Sequence, residues 1–107
     1  MATTERTLAR LQYLAALYRQ GYRSAVVERS LEKLLHLEKE AARRELAELG
    51  ERLRAFETQY RMPSETLYQR FRAGELGDAA EVVEWSAFYE MWQSVQERLA
   101  GLEAASA

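Results

Sequence analysis

The side chains able to do chemistry are few and scattered. His36 is the only histidine, and there is no cysteine, so neither a thiolate nucleophile nor a Cys/His metal set is available. A general base needs a nucleophile or an acid beside it in a pocket, and His36 sits next to Leu35 at a position read as solvent-facing. Asp78, Glu81 and Glu84 bring carboxylates together at three-residue steps. A dinuclear bundle site, however, needs inward Glu-x-x-His pairs, and Asp78 has a sufficient role as a helix cap. The run Gly74-Glu75-Leu76-Gly77 is too short and too acidic to cradle phosphate and reads as a turn. The sequence therefore predicts no catalytic centre, no metal and no cofactor.

Binding chemistry is better represented. Arg6, Arg10, Arg19 and Arg23, with Tyr18 and Tyr22 nearby, offer phosphate contacts and stacking of the kind nucleic acid requires. The formal net charge of −2 over 107 residues argues against that use. The charge is unevenly placed: residues 1–30 hold five arginines against two glutamates, whereas residues 75–107 hold seven acidic side chains against Arg98. This asymmetry suits either docking of the two ends or surfaces addressed to different partners. Trp85, Phe88, Tyr89 and Trp92 form the other conspicuous group. Each aromatic ring can bury on the order of 150–250 Å², as core or as an interface anchor.

Helices must position these groups. Leu, Ala, Glu and Arg dominate, with five Gly and one Pro, and 48% of residues are hydrophobic and 30% charged. That composition belongs to a folded helical chain rather than a disordered one. A single domain is expected from the length. The first stretch, 1–22, carries Leu8, Leu11, Ala15, Tyr18 and Tyr22 at helical spacing, with Thr4 as its cap and Gly21 as its end. From 24 to 60 runs the longest pattern. Leu35, Ala42, Leu49 and Phe56 recur every seven residues beside Leu46, Leu53 and Tyr60, an a/d-like seam that suits an antiparallel helix or a second copy of the chain. Pro63 ends it, and a short helix over 64–73 with Leu67, Tyr68 and Phe71 turns the corner to Gly74. Asp78 and Glu81 then form a capping-box-like start for a last helix over 79–102, whose stripe is Trp85, Phe88, Trp92, Val95, Leu99 and Leu102. The tail from Ala104 to Ala107 is expected to fray.

The expected architecture is thus an all-α bundle, with the long coiled-coil-like helix antiparallel to the C-terminal one, the first helix folded back, and dimerisation through the Leu35–Tyr60 seam. No run reaches membrane-spanning length, and the N-terminal segment is broken by Arg6, Arg10 and Gln12, unlike a signal peptide. A cytoplasmic location follows as an expectation.

Phe56-Glu57-Thr58-Gln59-Tyr60-Arg61-Met62, Phe71-Arg72-Ala73-Gly74-Glu75-Leu76-Gly77-Asp78 and Glu84-Trp85, taken together, resemble a family of small prokaryotic helical proteins. Their pattern is a long charged helix, a Tyr-Gly-Met turn, a Gly-Glu-x-Gly-Asp link and a Glu-Trp helix. The likeness covers about residues 21 to 103. It departs at Arg61, where the pattern has Gly, and at Pro63, where it has a small polar residue. Such proteins look like antitoxin components encoded beside a small toxin. The resemblance implies a non-catalytic protein that binds and neutralises a toxin from an adjacent gene. A homo-oligomeric structural or regulatory module is the alternative, and a nucleic-acid-binding regulator using the basic N-terminal segment is the third reading. Leu35, Ala42, Leu46, Leu49, Leu53, Phe56, Tyr60, Trp85, Phe88, Tyr89 and Trp92 are the expected interface residues.

Overall fold

Residues 2–107 are described in a computed structural model, and they form four helices with no strand among them: α1 (Thr3–Arg19), α2 (Ala25–Tyr60), α3 (Ser64–Arg72) and α4 (Ala80–Ser106). The all-α class and the pairing of the long helix with the last one are as expected. Contacts divide the chain into two compact units, meeting in sequence within α2 between Lys33 and Leu34.

In the larger unit, α2 and α4 run antiparallel. Glu45 pairs with Arg98, Arg52 lies over Phe88, and Phe56 stacks on Trp85, so position falls along α4 as it rises along α2. The seven-residue spacing explains the alignment, because it keeps one stripe of α2 facing the same neighbour. Two buried clusters result. Ala42, Leu49 and Val95 form one, flanked by Leu46, Leu99 and Leu102. Leu53, Leu67 and Trp85 form the other, flanked by Phe56, Met62, Leu76 and Val82. Phe88 and Trp92 pack against both and join them.

Three helix ends share one device. Met62 N–H reaches back to Glu57 O, Glu75 N–H to Arg70 O and Tyr22 N–H to Leu17 O, each a six-residue closing bond of the Schellman type. The residue before each donor is left-handed: Arg61 at φ 51°, Gly74 at 77° and Gly21 at 98°. Arg61 therefore takes the left-handed conformation that glycine takes at the other two ends, despite carrying a Cβ.

The predicted caps fail at two starts. Thr4 lies inside α1, because Ala2 is already extended and its carbonyl accepts from Arg6 N–H, with no side-chain cap. Asp78 does not cap α4 either. Ala79 is the extended residue there, and its carbonyl accepts from Val83 N–H, so the helix begins one residue too late for the Asp78–Glu81 box to close. At the other end, α4 continues to Ser106 instead of fraying from Ala104, with Ser106 Oγ donating to Leu102 O at 2.7 Å. Good helix formers beyond the last packed leucine carry it on.

Candidate protein-docking surfaces

The expected interface residues are mostly occupied within the chain. Ala42, Leu49, Leu53 and Trp85 are buried; Leu35, Leu46, Phe56, Phe88, Tyr89 and Trp92 are half-buried. From Ala42 to Phe56 the seam faces α4 of the same chain. Tyr60 remains 43% exposed while stacking on Trp85 at 5.6 Å. The aromatic group of α4 is likewise packed: Trp85 on Phe56 at 5.4 Å, Tyr89 on Trp92 at 5.9 Å and Tyr89 on Tyr68 at 5.2 Å.

Polar bonds between residues far apart in the sequence fix this aromatic layer. Glu57, one turn from the end of α2, accepts from Ser64 N–H at 2.9 Å and so supplies the carboxylate at the start of α3. Ser64, itself buried, accepts from Trp85 Nε1 at 2.8 Å. Tyr68 donates to Glu90 Oε1 at 2.6 Å, and this bond to a carboxylate holds the Tyr68 phenol above its ordinary pKa. The Tyr89 phenol is also raised, chiefly by burial and then by the charge of Glu65. Ser86 Oγ is buried with no hydrogen-bond partner among the described residues.

Two hollows adjoin along one side of the α2–α4 pair and share Glu45 and Met91. Their floor is Leu49, Phe88, Met91 and Val95. Glu45 and Glu48 stand on one wall and Glu90 on the other, with Arg52 at one end. Arg98 balances Glu45 at 3.0 Å. The channel is apolar with a net acidic rim.

The smaller unit is different in kind. α1 buries none of its described residues. Leu8 and Leu11 are each 53% exposed, and Leu14 is 38% exposed. At 100° per residue these three lie within one third of the helix circumference, with Arg10 along one edge, Arg19 along the other and Arg6 further round on the Arg10 side. Arg23 belongs to the turn. Its guanidinium donates to Tyr22 O at 2.9 Å and lies 5.2 Å from the Tyr18 ring. The Tyr18 hydroxyl in turn accepts from Ser24 N–H at 3.0 Å, and Ser24 Oγ caps α2 through Val27 N–H. The four arginines are thus spread over two edges and a turn, rather than gathered on one face. At the first turns of α2, Val26 and Leu31 are exposed, as are Leu34 and Leu37 where the larger unit begins.

The residues considered for catalysis stay apart. His36, Asp78, Glu81 and Glu84 are all exposed, and among the described residues no three His, Cys, Asp or Glu side chains converge on a point that could hold a metal ion. No described helix is long and apolar enough to cross a membrane. Comparison with protein-family models, curated proteins and solved structures returns no match.

Proposed function

We propose that this chain is a non-catalytic, cytoplasmic protein-binding component of the antitoxin kind, which binds a small toxin encoded beside it and neutralises it by laying an exposed amphipathic helix into the toxin's groove. The observation that carries this reading is the leucine stripe of α1, outward-facing on a helix that buries nothing. Exposed apolar stripes edged by charge mark interaction surfaces. The aromatics of the larger unit, by contrast, are committed to its own core. The test is co-expression of the tagged chain with the adjacent gene, followed by pull-down and a growth assay of that gene alone and together with this one. A stoichiometric second protein whose toxicity is relieved supports the reading; a neighbour that neither co-purifies nor is affected removes it.

A homo-oligomeric module is the second reading, favoured by the exposed Leu34 and Leu37 on α2, which could equally serve a second copy of the chain.

A further inference from the structure

Tyr60, Met62, Leu67, Leu76, Val82 and Trp85 line a cavity of about 150 Å³ in the larger unit, between the end of α2, α3, the link that follows it and the first turns of α4. Its lining is entirely apolar. Leu67 and Trp85, each 2% exposed, form the floor, while Tyr60, 43% exposed, stands at the rim. We infer that this cavity is a binding site for a neutral, single-ring aromatic molecule.

Size, polarity and ring geometry select that class. Water needs two or more polar partners to settle in a cavity, and an apolar one of this size stays dry and takes up benzene instead. The nearest polar group cannot serve a guest, because Trp85 Nε1 is already committed to Ser64 Oγ at 2.8 Å. A charged or hydrogen-bonding group inside the cavity would therefore be left unpaired, at a cost to binding. Tyr60 stacks on Trp85 with centroids 5.6 Å apart, and a third ring can continue this pair in an offset or edge-on arrangement. Met62 adds a flexible thioether, whose contacts with aromatic rings are favourable. Entry is provided for on one side. Leu76 forms the wall carried by the link, between Gly74 and Gly77 at φ 77° and 70°, and glycine dihedrals change with little steric penalty, so this leucine can swing aside. The guest uses nothing of the α1 stripe, so the site stands or falls independently of toxin binding.

Benzene, held just below its solubility limit in water, is the probe, and the methyl and indole N–H resonances of the labelled full chain are the readout. The expected result is a saturable shift confined to Leu67, Leu76, Val82 and the Trp85 indole, with Leu11 and Met91 unmoved. In a sealed cell the thermal midpoint should rise by about 2 °C or more. Val82→Phe sets one of the chain's own rings at the cavity and should abolish both responses in a folded protein. Val82→Ala covers the case in which that ring does not fit and the chain unfolds. It widens the cavity, and the ratio of toluene affinity to benzene affinity should rise by roughly threefold or more. Benzene shifts that fail to appear, fail to saturate, or appear equally at Leu11 and Met91 overturn the inference. So does a folded Val82→Phe chain that takes up benzene like the unaltered one, or a Val82→Ala chain with an unchanged ratio.

Discussion

Trp85 Nε1 donates to Ser64 Oγ across 2.8 Å, with both side chains buried, and the bond ties the first turn of α3 to the middle of the aromatic layer. The same serine's N–H is held by Glu57 of α2, so three helices meet at one residue. Ser64→Ala leaves the indole N–H buried without an acceptor, which costs about 1–3 kcal/mol. Urea denaturation should show the midpoint falling accordingly. A midpoint within error of the unaltered chain would mean that the indole finds another acceptor and that Ser64 is not the junction.

Arg61 is the one described non-glycine residue with positive φ, at 51°, and it closes α2 through the Met62-to-Glu57 bond. A Cβ in this region costs on the order of 1–2 kcal/mol, partly offset by the extra freedom that glycine has in the unfolded chain. Arg61→Gly should therefore stabilise the protein by about 0.5–1 kcal/mol, visible as a few degrees in thermal unfolding. A loss of stability would show that the arginine side chain contributes more than its backbone strain costs.

The spacing of the large residues made the main helices legible. Leu49 and Leu53 recur in step with Trp85, Phe88, Trp92 and Val95, and those residues face each other in the two cores. What periodicity cannot give is whose surface fills a seam. Ala42 to Phe56 was equally compatible with a second copy and with α4, and the turn at Pro63 decides by sending α4 back along α2. Helix caps are hard to place from sequence for a related reason. Thr4 and Asp78 have suitable side chains, but the helix starts wherever the extended residue falls, and that residue is alanine in both cases. Ser64 is legible as the start of the short helix but not as a junction, because only the approach of Trp85, 21 residues on, gives its hydroxyl a partner.

Tyr68 gives the protein a pH dependence at the alkaline end. Its phenol is held above the ordinary value of about 10 by the bond to Glu90, with Tyr89 raised as well by burial. A folded-state pKa above the unfolded one means that the stabilisation is complete below about pH 10 and is lost as pH rises through the folded value. Stability measured between pH 8 and 12 should fall at the upper end, and fall less steeply in Tyr68→Phe, which has no proton to lose. Identical slopes for the two proteins would assign the decline to other groups.

Trp92 and Leu11 separate the two kinds of surface. Trp92 packs against both core clusters, so Trp92→Ala should remove about 3 kcal/mol, the low end of the range for such truncations because the ring is only half-buried. Leu11 is 53% exposed on a helix that buries nothing, and an exposed substitution ordinarily moves stability by no more than about 0.5 kcal/mol. Leu11→Ala should therefore leave unfolding at sub-micromolar concentration nearly unchanged while weakening capture of a partner or of a second copy. Unfolding at low concentration, read beside binding at high concentration, checks both expectations. A Leu11→Ala chain as destabilised as Trp92→Ala at every concentration would place the α1 stripe in a monomeric core and remove it as a docking surface.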